Sequence, residues 1–125
     1  MDVQNETRNW KGCGTVSATY FSSLKRGADG GKGRRPILFK VTIESIANLL
    51  DVVQKGKCAL TGLKISIRDK TASLDRIDSS KGYEEGNVQW LHKDVNMMKR
   101  HYSQEYFVYL CHLVSGGVCE IVDLT

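Results

Sequence analysis

The chain has no CxxC pair among its 4 cysteines (Cys13, Cys58, Cys111 and Cys119), no apolar signal-like segment ahead of them, no internal repeat and no long low-complexity tract. Thiols scattered in this way point to a reduced, cytoplasmic protein rather than to a disulfide-stapled secreted one. No apolar run approaches the ~20 residues that span a bilayer, which sets membrane integration aside. Acidic residues are scarce in one place: from Lys25 to Lys40 the only acid is Asp29, against Lys25, Arg26, Lys32, Arg34, Arg35 and Lys40. The C-terminal end has the opposite deficit, with Glu120 and Asp123 and no basic residue. The formal net charge of +4 and a pI near 8.9 are a mild bias toward a polyanionic partner. The cationic stretch reads either as a nucleic-acid-binding arm or as plain solvated surface.

With 125 residues, 41% of them hydrophobic, there is material for one small core and too little for two ordinary domains, so a single domain over 1–125 is expected. Residues 1–11 are polar and mixed in charge and read as a loose leader. A helix over Thr15 to Lys25 would bury Val16, Tyr20, Phe21 and Leu24, and GADGGKG (27–33) would follow it as a flexible cationic loop. Thr42 is a credible N-cap for a helix in which Ile43, Ile46, Ala47, Leu50 and Val53 recur at helical spacing up to Gly56. Ser103 is another N-cap, with Glu105 in the positive first turn of a helix running to Gly116. VCEIVDL (118–124) would add an edge strand.

The chemistry is concentrated in Ala72 to Lys99, ASLDRIDSSKGYEEGNVQWLHKDVNMMK. Residues 73–78 alternate polar and apolar and read as a short, partly exposed strand bearing Asp75 and Asp78. Ser79 to Gly86 carries two glycines and reads as a connection, and Asn87 opens a second strand, NVQWL. From Leu91 the spacing Leu91, Val95, Met98, Tyr102 marks one buried helix face. The adjoining face carries His92, Asn96 and Lys99. Residues four apart on a helix project toward one point, so Asp75 with Asn96, and His92 beside them, would hold a cation, while Lys99 would meet a phosphate oxygen. Asp78 reads as a turn-former, Trp90 as core, Cys58 as a small buried thiol, and His101 and His112 as surface or boundary histidines.

In order and spacing these residues resemble the HNH nuclease superfamily, and the phrases LDRID, KGY, GNVQW and HKDVNMMK, entered through KCALTG, are similar to small phage and bacterial HNH-type proteins. The resemblance covers residues 57–102. It implies an α+β fold with a ββα-metal core and additional N- and C-terminal helices. It also implies a DNA endonuclease, in a bacterium or phage-infected host, using one divalent cation (Mg²⁺ or Mn²⁺). By position, Asp75 resembles the first-strand metal ligand, Asn96 the helix ligand, and Asn87 the residue bracing the loop between the strands. Arg76 falls where most members carry the general-base histidine, and a guanidinium cannot accept a proton at neutral pH.

Three readings of that departure stand side by side. His92 activates water while Arg76 stabilises the phosphate charge; a metal-bound hydroxide attacks without a protein base; or the domain binds DNA without cutting it. Arg76 is equally open to an ion pair with Glu84 or Glu85. No structural zinc is expected, because Thr61, His92 and Val95 stand where zinc-bearing members carry the partners of Cys58. Lys32, Arg34 and Arg35 are the expected contacts of the DNA backbone. With one site per chain, double-strand cleavage would need a homodimer or sequential nicks.

Overall fold

The computed structural model describes residues 12–31 and 33–124, with side chains described as far as residue 116. The leader 1–11 and Lys32 lie outside the described residues. Helix α1, Ala18–Ala28, starts at Ser17, whose hydroxyl oxygen accepts from the Tyr20 N–H at 3.1 Å. Val16, expected inside this helix, sits just before it in a tight turn closed by two hydrogen bonds with Cys13, and is fully buried. That turn is moored to the next helix by Thr15, whose N–H and hydroxyl both donate to the Asp51 carboxylate at 3.0 and 2.7 Å.

Helix α2, Ile43–Asn48, begins at the expected cap. The Thr42 hydroxyl accepts from the Ser45 N–H, and the Ser45 hydroxyl oxygen accepts from the Thr42 N–H, which satisfies two otherwise orphaned donors. The helix then widens into a π-helical turn, Leu49–Val53. The wider turn shifts the side-chain phase, so Ile46, Ala47 and Leu50 are buried while Val53, expected on the same face, is 62% exposed. Gln54 comes directly after it. Its amide donates to the Trp90 carbonyl at 2.9 Å and accepts from the Trp90 N–H at 2.9 Å.

The sheet is a single antiparallel pair, β1 (Ala72–Arg76) and β2 (Val88–His92), with Ala72 opposite His92, Leu74 opposite Trp90 and Asp75 opposite Gln89. Alternation along the strands separates two faces. Ala72, Leu74, Val88 and Trp90 enter the main core with α2. Trp90 is fully buried, stacks on Tyr20 with ring centroids 6.2 Å apart, and donates its indole N–H to the Ile46 carbonyl at 2.9 Å. Burying a side chain of that size contributes roughly 5 kcal/mol of transfer free energy before entropy is counted. The opposite face, bearing Ser73, Asp75 and Gln89, is covered by helix α3, Lys93–Lys99.

Two expectations are corrected here. Leu91 lies in the second strand, as expected of NVQWL, but the helical spacing does not start from it; the helix begins after His92, which caps it by accepting the Asp94 N–H on Nδ1 at 3.1 Å. Helix α3 is thereby rephased: Met98 is 62% exposed, Tyr102 is exposed, and the deeply buried position is Lys99. The C-terminal edge strand is absent as well. Helix α4, Gln104–Leu124, runs through Gly116 and across residues 118–124. Two interior glycines cost a helix about 1 kcal/mol each without ending it. The outer edge of β2 at Trp90 is already paired with Gln54 and with the Ala59 N–H. The result is an α+β protein with four α-helices and one two-stranded antiparallel sheet among the described residues. Among them no helix is long and apolar enough to cross a membrane.

Candidate functional site

Between β1, the loop after it and the C-terminal end of α3 lies a cleft of about 220 Å³, lined by Leu74, Asp75, Arg76, Ser79, Tyr83, Asn96, Arg100 and His101. Asp75 is held on the strand face beneath α3 and is only 7% exposed. Its Oδ2 accepts from the Lys99 ammonium at 2.9 Å and from the Gln89 amide at 3.0 Å. Its Oδ1 makes no hydrogen bond among the described residues, where every fully buried side-chain polar atom has a partner. Oδ1 is therefore the oxygen that Asp75 presents to the cleft. Asn96 donates its amide N–H to the Ser73 hydroxyl at 2.6 Å, which fixes the amide plane and leaves its oxygen without a protein partner among the same residues.

Lys99 does not reach a phosphate. It is fully buried, and its three N–H groups go to Asp75 and to the carbonyls of Arg76 at 3.0 Å and Ile77 at 3.5 Å. A buried lysine needs such a shell because an unpaired charge in the interior costs several kcal/mol. Lys99 is the internal counter-cation of Asp75, which corrects its expected phosphate role.

His92 is displaced from its expected position too. It pairs with Ala72, three residues along the hairpin from the Asp75–Gln89 pair, which is roughly 10 Å at strand spacing. Its Nδ1 is engaged as the α3 cap, and it does not line the cleft. Close to it is Cys58. Burial pushes that thiol up, but donation from the Thr61 hydroxyl and from the backbone N–H groups of His92, Leu60 and Thr61 outweighs burial and holds it below its ordinary range.

The loop 77–87 is shaped by Asn87. Its side-chain oxygen accepts from the Asp78 N–H at 2.9 Å, and its amide donates to the carbonyls of Asp78 at 3.1 Å and Gly82 at 2.9 Å. Asp78 closes a turn of its own, accepting from the Ser80 hydroxyl and N–H, and these bonds hold its carboxyl below the usual aspartate range. Arg76 forms no ion pair with Glu84 or Glu85. It donates from one guanidinium nitrogen to the carbonyls of Ser79 and Lys81, both at 2.9 Å, and lies 5.4 Å from the centre of the Tyr83 ring. Those contacts hold its planar fork against the cleft with N–H groups to spare.

The cationic stretch is docked onto the same loop. Tyr83 donates its N–H to the Leu38 carbonyl, and its own carbonyl accepts from the Lys40 N–H, both at 2.8 Å. Arg34, Arg35 and Lys40 are exposed on this segment. No family model, no curated protein and no solved structure matches this chain.

The structure thus gathers Asp75, Arg76 and Asn96 around one cleft, with Asn87 shaping its rim, and leaves His92 and Lys99 out of contact with it. It adds two residues that periodicity did not single out, Arg100 and His101. Their placement depends on Arg100, the residue that ends α3, which has φ 51° and ψ −124°. This left-handed step is uncommon for a residue with a Cβ, and nothing in the local sequence announces it.

Proposed function

We propose that this protein is a divalent-cation-dependent DNA endonuclease of HNH type, hydrolysing a phosphodiester bond in the cleft between β1 and the end of α3. The supporting observation is that two uncommitted oxygens, Asp75 Oδ1 and the Asn96 amide oxygen, share that cleft with Arg76 and Arg100. One carboxylate and one amide oxygen with room for water suit Mg²⁺ or Mn²⁺, which keep much of their hydration shell when bound to protein. Asp75 and Asn96 would hold the ion, which when bound supplies Lewis acidity toward the scissile phosphate. The chain's own share is positional and electrostatic. Arg76 and Arg100 bind the phosphate oxygens and offset the charge that grows on them, and Asn87 keeps the loop carrying the Arg76 acceptors in place. Arg34, Arg35 and Lys40 on the docked arm extend the positive track for the DNA backbone.

The Lys99–Asp75 ion pair favours a second reading, in which the carboxylate is already neutralised and the domain binds DNA without turnover. Plasmid nicking separates the two. Metal-stripped protein is incubated with supercoiled plasmid and Mg²⁺ or Mn²⁺, beside Asn96→Ala and an EDTA control. The nuclease reading expects nicks from the wild type alone. Salt-steep DNA binding with no nicks would establish the second reading, and equal cleavage by Asn96→Ala would remove the cation site from the cleft.

A further inference from the structure

We propose that His101 is the general base of this cleft, a role that rests on the nuclease reading above and supplies the proton acceptor missing at Arg76. Three features of the structure place it there. The left-handed step at Arg100 breaks the helical path just after Lys99, while the Arg100 N–H still donates to the Asn96 carbonyl at 3.1 Å, so the chain turns sharply instead of continuing along α3. The turn is closed by the Tyr102 N–H donating to the Lys99 carbonyl at 3.1 Å. It is pinned from across the cleft by the Ser79 hydroxyl, which donates to the His101 carbonyl at 3.0 Å. His101 consequently lines the same cleft as Asp75 and Asn96.

Holding a non-glycine residue at such a φ costs on the order of 1–3 kcal/mol, and such strain collects where geometry serves a site. Neither His92, engaged as a helix cap at the far end of the hairpin, nor His112 lines this cleft. The charged and titratable groups that face His101 there are Asp75 and Arg76 from β1, Tyr83 from the loop and its own neighbour Arg100.

In the hydrolytic step an imidazole nitrogen of His101 takes a proton from a water molecule as the water oxygen forms a bond to phosphorus. The bond from phosphorus to the leaving sugar oxygen breaks, and that oxygen takes a proton from solvent. The products are a phosphomonoester and an alcohol. His101 is exposed, so it returns its proton to bulk water directly.

The test is the pH dependence of plasmid nicking in Mg²⁺ for wild type, His101→Gln, His92→Gln and His112→Gln, with matched unfolding midpoints as the folding control. Wild-type activity is expected to rise with pH and then level, because only a neutral imidazole can accept the proton. His101→Gln is expected to lose roughly 10²- to 10⁴-fold at the plateau, to lose the rise, and to recover part of the rate when free imidazole is added. His112→Gln keeps the wild-type profile. A wild-type rate and profile in His101→Gln would overturn the assignment while leaving the nuclease reading intact, as would loss of the rise in His92→Gln instead. A wild type that never nicks would overturn both.

Discussion

The Lys99–Asp75 pair makes the sharpest statement about stability. Lys99 has no exposed surface, Asp75 has little, and their charged atoms are 2.9 Å apart. Truncating one member of such a pair leaves the other charged and buried without compensation, which costs about 3–5 kcal/mol. Lys99→Met keeps most of the aliphatic volume, so its loss reports the orphaned carboxylate rather than a cavity. For a chain of this length 1 kcal/mol moves the thermal midpoint by roughly 3–5 °C, so Lys99→Met is expected to fall by about 10 °C or more. Asp75→Asn should lose a comparable amount, because it strands the ammonium. The double variant should lose clearly less than the two singles together, since it leaves neither charge, with a coupling on the order of 2 kcal/mol or more. Urea unfolding at pH 7, fitted for all four proteins with a common slope, measures the cycle. A Lys99→Met loss below about 1 kcal/mol, or additive singles, would refute the claim that this pair is interior and mutually dependent.

The loop beside the cleft carries two further expected outcomes. A Cβ on Gly82 would stand 2.6 Å from the Leu38 backbone oxygen, so Gly82→Ala should cost about 1–3 kcal/mol, read by urea unfolding. The same variant should loosen the cationic arm and weaken DNA binding at low salt, since the arm is docked through that contact. Asp78 titrates below its ordinary value because Ser80 donates to its charged form. Its contribution to stability is present above the unfolded aspartate value of about 3.9 and is lost as the pH falls through the lower folded value. Urea midpoints between about pH 5 and pH 2.5 should therefore drop less steeply for Asp78→Asn than for the wild type.

The parts of this molecule set by neighbouring residues were legible in its sequence. The caps at Thr42 and Ser103, the second strand, the burial of Trp90 and the turn made by Asp78 all appear where local spacing put them. What spacing could not show is which of two periodicities owns a boundary residue. Leu91 closes the strand NVQWL and also fits the helical spacing, and counting that spacing from it rotated the expected buried face from Lys99 to Met98. Lys99 itself reads as a surface cation until its partner, 24 residues earlier, is brought beneath it. The acceptors of Arg76 are main-chain carbonyls, which leave no trace in residue identity. His101 depends on a single backbone torsion at Arg100.

The π-helical turn at Leu49–Val53 has a consequence for how this protein tolerates changes of length. Such a turn holds one residue more than an α-helical turn, and each residue advances a regular helix by about 100°. Deleting one residue from that turn would therefore do more than shorten a surface helix. It would regularise the coil and rotate Gln54 by about that angle away from the Trp90 main chain it now closes. The Trp90 carbonyl would keep the Ala59 N–H, but the Trp90 N–H would stand open to another strand, an arrangement that invites intermolecular pairing. In this segment the count of residues, more than their identity, keeps Gln54 on the edge of β2.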